Sequence, residues 1–168
     1  AASDVYKRQP GSDADVFLHV QTKRAGKIKG EAVAPGHADD IVVSGWQWGV
    51  SANAALGGAV ATGRRSYQAL TVHKQVDAAT TALLSALATN DEVKEARLTL
   101  RRAGGEQEDF FSITLKDARI ASLQHSGEGD GGTREVVTIA FTKVEVEYRP
   151  QKGSGQRGGA STFQDELP

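Results

Sequence analysis

Cysteine is absent from the 168 residues, which removes disulfide scaffolds, thiolate zinc sites, redox pairs and cysteine nucleophiles together without deciding the compartment. An excess of one charge sign is missing as well: 20 Lys+Arg stand against 21 Asp+Glu. That balance argues against a protein whose main business is coating nucleic acid or an anionic membrane. No apolar run approaches the ~20 residues that a membrane-crossing helix needs, so neither nucleic acid nor membrane insertion is expected. Residues 1–12 show no apolar periodicity and lack the apolar central stretch of a signal peptide. They are read as a disordered tail or appended segment, set apart from a single domain over residues 13–168, and any export is expected to bypass the general secretory route.

Familiar catalytic and ligand patterns are also lacking. The four histidines His19, His37, His73 and His125 are far apart in sequence without ligand spacing, and there is no HExxH. Gly127, Gly129 and Gly132 have the dinucleotide spacing GxGxxG, but they precede a strand pattern, and Glu128 and Asp130 would repel a pyrophosphate. The glycines from Gly58 to Gly63 are spaced as in a P-loop, yet Arg64 and Arg65 follow where Lys and Ser or Thr are needed. No serine sits in a GxSxG setting. Asp165, Glu166 and Leu167 are closed off by Pro168 and make no retention signal. The expectation is therefore no catalytic residue, no cofactor and no metal: not an enzyme.

What is present in excess is glycine, 19 residues where average usage of ~7% would give about 12, together with short segments of alternating apolar and polar residues. Val16, Leu18 and Val20 share one strand face. Residues 40–50 read as a strand with Val42, Trp46, Trp48 and Val50 on one face and Ile41, Val43 and Gln47 on the other, so that both faces are partly apolar and covered, or turned to a partner subunit. Residues 66–76 read as a strand, and residues 77–89 as the one helix, with Asp77 as its N-cap and Leu83, Leu84 and Leu87 as its apolar stripe. Residues 95–102 and 110–116 are further strands, with Ala96, Leu98, Leu100, Phe111, Ile113 and Leu115 inward.

Residues 133–148 carry a fault in phase. Val137, Ile139 and Phe141 are inward at odd positions, then Val144, Val146 and Tyr148 at even ones. A one-residue slip inverts every side chain, so a bulge or bend is expected near Thr142 and Lys143. Seven or more short strands with one lateral helix predict a mainly β fold, a closed or nearly closed β-barrel of antiparallel strands. Residues 52–65 form a long Ala- and Gly-rich loop, and the tail from 150 to 168 is first Gly-rich and basic, with Lys152 and Arg157, then holds a weak strand near 160–163.

An ordered set of these landmarks resembles one family. Asp15-Val16-Phe17-Leu18, Ile28-Lys29-Gly30-Glu31, His37 with Asp40-Ile41, and Gly45-Trp46-Gln47-Trp48-Gly49 are similar to the opening of the haemolysin-coregulated protein (Hcp) family, the tube protein of bacterial type VI secretion. Arg102-Ala103-Gly104-Gly105, Phe110-Phe111 to Leu115, the Gly127 to Gly132 turn, Phe141-Thr142-Lys143-Val144 with Tyr148, and Pro150-Gln151-Lys152 with Gly158-Gly159 follow in order. Where the family continues through a Gly-Trp-Asp-like strand, this chain has Phe163-Gln164-Asp165, which leaves the last strand open.

The resemblance implies an Hcp-like barrel with a lateral helix and a long extended loop. It implies a structural subunit made in the bacterial cytoplasm, closing into homohexameric rings that stack into a hollow tube, and secreted by the type VI system. Its implied partners are further copies of itself, the spike, sheath and baseplate proteins, and effector proteins in the lumen. Within that frame, Leu56, Gly57, Gly58, Ala59, Arg64 and Arg65 are candidates for the inter-ring stacking loop, with the two arginines donating to a neighbour's acidic or carbonyl groups. Gln47 is the candidate lumen residue. Arg97 and Arg101 against Glu145 and Glu147 are candidates for setting register between subunits. A free-standing small-ligand or glycan-binding barrel is the competing reading, with Trp46 and Trp48 as stacking platforms, although two Trp at spacing two on a strand also suit a core.

Overall fold

Alternating strands bury one face each, and the simplest way to hide all of those faces is to roll the sheet over on itself. A computed structural model, which describes residues 15–52, 64–103, 108–151 and 159–168, shows this arrangement. The strands are β1 (Asp15–Thr22), β2 (Gly26–Lys27), β3 (Ile41–Val43), β4 (Gly45–Gln47), β5 (Val50–Ala52), β6 (Arg65–Tyr67), β7 (Leu70–Lys74), β8 (Val93–Arg101), β9 (Asp109–Gly127), β10 (Thr133–Ala140), β11 (Lys143–Tyr148) and β12 (Ser161–Glu166). One helix, α1 (Thr80–Ala88), lies among the described residues between β7 and β8.

All pairings are antiparallel. In a first sheet, β2 and β3 border β1, followed by β8, the first half of β9, β11 and β12; a second sheet runs β4, β7, β10 and the second half of β9. The sheets share two corners. At one, β9 bends at Asp117, which has φ 48°, opposite the break between β10 and β11, where the Thr142 N–H donates to the Asp117 carbonyl at 3.2 Å. At the other, the bend at Ser44 carries the chain from β3 to β4, and the Ser44 N–H donates to the His73 carbonyl at 2.8 Å. The result is a nearly closed barrel. Its core includes Leu18, Val20, Ile41, Leu70, Val72, Leu98, Ile113, Leu115, Val137 and Ile139.

The phase fault in residues 133–148 is therefore this corner: a strand break at Phe141 and Thr142, beyond which β11 pairs with the other half of β9. Residues 40–50 differ from expectation. They form three short strands, and Ile41 and Val43 are the buried pair while Val42 is 52% exposed and Val50 also lies outside. The bend at Ser44 resets the alternation, so that Trp46 packs on the core from an even position. Residues 66–76 likewise divide into β6 and β7. The helix begins at Thr80 instead of 78. Asp77 caps the turn before it, its Oδ1 accepting the Ala79 N–H at 2.9 Å. Thr80, Leu83 and Ala86 are its buried face, whereas Leu84 points to solvent. The last strand forms despite the missing Trp, pairing along β11 from Lys143↔Glu166 to Tyr148↔Ser161.

Among the described residues, one glycine has a strict steric role. A Cβ on Gly30 would lie 2.7 Å from the backbone Cα of Ile41, because the 28–32 segment is hydrogen-bonded directly against 39–40. Leu56, Gly57, Gly58, Ala59, Gly104, Gly105, Lys152 and Arg157, together with residues 1–12, lie outside the described residues.

Candidate functional site

Among the described residues, three features carry most of the polar chemistry. The first is the outward face of the first sheet. Neighbouring strands bring His19, Arg97, Thr114 and Glu145 into one row, since His19 pairs with Arg97, Arg97 with Thr114 and Thr114 with Glu145. Arg97 donates to Thr114 Oγ1 at 3.4 Å and to Glu95 Oε1 at 3.1 Å, and Arg149 donates to Glu147 at 2.6 Å. Together with Lys27, Asp109 and Lys116 these groups line a polar groove of about 600 Å³. Side chains of both charge signs line it.

At the head of this groove sits a network in which only His37 and Asp40 are neighbours in sequence, while Phe17, His19 and Asp109 come from distant positions. His37 is stacked on Phe17, ring centroids 4.4 Å apart. Its Nδ1 faces Asp40 Oδ2 at 3.0 Å and its Nε2 faces Asp109 Oδ1 at 2.9 Å. Asp40 also meets His19 Nδ1 at 3.4 Å and Lys27 Nζ at 3.1 Å. Burial pushes the Asp40 carboxyl up, but hydrogen bonds from His19, His37 and Lys27 outweigh it and hold the group below the usual carboxylate range. Two of the four histidines thus meet at one carboxylate. Arg101 lies beneath them, 4% exposed, with its guanidinium 5.5 Å from the Phe17 ring centroid and Nη1 donating to the Pro35 carbonyl at 3.0 Å. It shares the outward face of β8 with Arg97 but is covered there, where it donates to its own chain, so unlike Arg97 it is not displayed in the groove.

The second feature is buried. Lys74, 1% exposed, continues the inward face of Leu70 and Val72 on β7, and Glu135, 0% exposed, continues that of Val137 and Ile139 on β10. The two are directly paired strand neighbours and form an ion pair. Asp77 Oδ1 lies 2.8 Å from Lys74 Nζ, and His125 Nε2 2.6 Å from Glu135 Oε1. Burial raises the Glu135 carboxyl, yet Lys74, His125 and Thr80 together bring it below its ordinary value. The legible signal was parity: each charged residue occupies a position its strand reserves for the core.

The third feature is a ribbon of β5 and β6, a two-stranded sheet of its own with Val50↔Tyr67, Ser51↔Ser66 and Ala52↔Arg65 as its pairs. Its residues are exposed apart from the partly buried Tyr67. Tyr67 stacks on Trp48 at 6.0 Å and meets the Phe141 ring edge-on at 5.6 Å, while Trp46 stacks on Phe111 at 6.2 Å. Both tryptophans are thereby packed against the barrel and not presented together as a platform. Arg65, expected from sequence to donate to a neighbour, forms an ion pair with Asp165 of its own chain and remains partly exposed. Arg64 is exposed.

The barrel thus carries an edge strand, an outlying ribbon and a charged sheet face. Residues 17–148 match the family model described as "Type VI secretion system effector, Hcp". The chain belongs to the Hcp family. It is 35% identical over 149 residues to Protein hcp1 of Pseudomonas aeruginosa, covering 86% of this chain and 89% of that one. Among solved structures, it is similar to Hcp1 of Salmonella typhimurium, with TM-score 0.73 at 25% identity over 92% of this chain and 95% of that one. A structure described as a type six secretion system protein shares the fold, with TM-score 0.81 at 24% identity over 92% and 96% of the two chains. As an Hcp protein, this chain is a structural subunit of the type VI secretion tube.

On this Hcp fold, Gln47 is exposed at the end of β4, on the opposite side of the strand from Trp46. Glu145 and Glu147 point alike from β11, in the same groove as Arg97. Among the described residues no three His, Asp or Glu side chains stand as a metal-holding group.

Proposed function

We propose that the chain closes with further copies of itself into six-membered rings, and that these rings stack into a hollow tube. The tube moves from the bacterial cytoplasm out of the cell through the type VI machine, in contact with its spike, sheath and baseplate and with effector proteins in the lumen. The observation that carries this reading is the combination of family membership with a barrel that displays its polar groups on a sheet face and an outlying ribbon. In a cyclic assembly, a heterologous contact repeats until the ring closes. Exposed strand edges such as β12, which among the described residues pairs only with β11, suit that geometry.

Within the ring, Gln47 is assigned to the lumen wall. Arg97, Glu145 and Glu147 adjust register between subunits, each exposed pair contributing at most about 1 kcal/mol, so backbone pairing and apolar burial hold the ring. Residues 53–63, with Leu56, Gly57, Gly58 and Ala59, make the contact to the adjacent ring, and Arg64 flanks it. Size-exclusion chromatography tests the ring: a species several times heavier than the 17.7 kDa subunit is expected, and a monomer at all concentrations refutes it. Replacing Leu56 to Ala59 by charged residues is expected to leave rings intact while blocking tube assembly and secretion in a type VI-competent strain. Normal secretion by that variant refutes the stacking role.

A further inference from the structure

A two-stranded ribbon of three residue pairs is marginally stable in water without support. In this chain the ribbon of β5 and β6 is a separate sheet, and its ladder runs one step further toward the barrel through the Gln68 N–H, which donates to the Gly49 carbonyl at 2.8 Å. Gly49 and Gln68 lie at the barrel end of the ribbon, and Ala52↔Arg65 is its far pair. What grips that far pair comes from the other end of the chain. Arg65 donates through Nη2 to Asp165 Oδ1 at 2.9 Å and to the Glu166 carbonyl at 2.9 Å, and through Nε to Asp165 Oδ2. The Tyr67 hydroxyl donates to the same Oδ2 at 2.6 Å. Asp165 pairs with Val144 and so shares the strand face that β11 turns toward the core. One carboxylate on that face thus receives both donors of the ribbon.

The arrangement is a bidentate arginine clamp reinforced by a phenol, stronger and more directional than a single exposed ion pair. Arg65 and Tyr67 hold the Asp165 carboxyl below its usual range.

We propose that Asp165 is the positioning residue of the ribbon: by binding Arg65 at the far end and Tyr67 at the base, it fixes the angle at which the ribbon leaves the barrel. Without it the ribbon pivots about Gly49 and Gln68, and the chain it carries no longer meets the next ring at one angle. The last strand thereby acts on ring stacking without touching the neighbouring ring. This rests on the reading that residues 53–63 make the inter-ring contact.

The test uses the full chain and three variants, Asp165→Ala, Asp165→Glu and Tyr67→Phe. Hydrogen exchange of the amides in β5 and β6 reads the clamp. Asp165→Ala is expected to raise their exchange about tenfold or more, from the loss of charge-assisted hydrogen bonds. Tyr67→Phe, which deletes one hydroxyl and no charge, is expected to raise it less, and Asp165→Glu to recover much of the protection. The ring contact proposed for β12 uses its backbone edge, which all three variants keep, so ring formation by size exclusion stays unchanged, while tube assembly by electron microscopy falls in the order of ribbon exchange. If exchange in Asp165→Ala and Tyr67→Phe equals that of the parent chain, there is no clamp. If exchange rises but tubes form normally, ribbon angle does not govern stacking and the proposal is overturned. The charged replacement of Leu56 to Ala59 is assayed alongside: normal tubes from that variant refute the inter-ring reading itself, whereas blocked tubes there with normal tubes from Asp165→Ala refute the clamp alone.

Discussion

The barrel and the ribbon are built from the same antiparallel pairing, yet they are held by opposite means. Strands β1, β8, β9 and β10 place Val20, Leu98, Ile113 and Val137 in a common apolar core, so each strand is held by its neighbours and by side chains from the facing sheet. The ribbon buries almost nothing of its own and is held from outside, by the Trp48–Tyr67–Phe141 contacts and the grip of Asp165 on Arg65. Area removed from water makes the first self-sufficient. The second depends on a few directional polar bonds, which set geometry while adding little to global stability. In the proposed tube the two have separate tasks, the barrel keeping the ring in shape and the ribbon giving direction to the chain it carries.

Perturbing the charged pair inside the barrel gives the largest expected effect. Lys74→Met leaves Glu135 buried without its main partner and is expected to destabilise the chain by about 3–5 kcal/mol, as for other broken buried pairs. The double variant Lys74→Met with Glu135→Leu is expected to recover most of that loss. Urea unfolding of the three chains at pH 7 measures this, and a single variant as stable as the parent contradicts it. The same pair predicts an acid limit. Glu135 and Asp40 both have lowered folded-state values, so their contribution is fully present above the ordinary carboxylate range of about 4 and is lost as pH falls through the lowered values. Urea midpoints are expected to hold steady from pH 7 to about 5 and to fall steeply below about 4.

Next in size is the helix that closes one flank of the barrel. Leu83→Ala empties a fully buried site and is expected to cost about 2–5 kcal/mol, whereas Leu84→Ala, on the solvent side of the same helix, stays within about 0.5 kcal/mol. Equal losses would mean that the helix packs with a different face. Gly30→Ala follows, at about 1–3 kcal/mol, because the added methyl drives the 28–32 segment off the backbone of residues 40 and 41.

The smallest effect on stability is expected at the ribbon. Arg65→Ala leaves the thermal midpoint and ring size of the chain unchanged, and its consequence appears in amide exchange of β5 and β6. A lowered midpoint would show the ribbon to be part of the cooperative barrel and would remove the contrast drawn above.

Much of the barrel was legible because alternation is a local property. Val16, Leu18 and Val20 had to share a face, and the change from Ile139 and Phe141 to Val144 and Val146 had to mark a break. The same signal lay unread in β9. Buried Ile113 and Leu115 sit at odd positions and buried Ala118 and Ile120 at even ones, so the strand changes phase at Asp117, directly across from the break between β10 and β11. Residues 40–50 misled because alternation was carried through Ser44, where a bend restarts it. Lys74 and Glu135 were readable as charges in core positions, but nothing local names the partner of either.

By itself, the sequence determined the fold class, the inward face of most strands, one of the two corners, and, through an ordered series of short motifs, the family. These follow from side-chain polarity at a period of two and from residues near one another in the chain. Only the tertiary structure decided which polar groups meet. His19 and His37 converge on Asp40, Arg101 is covered on the outward face against Phe17, and Arg65 reaches Asp165 across a hundred positions. Such pairings depend on which strands become neighbours when the sheet folds over, and no period within a single strand encodes that.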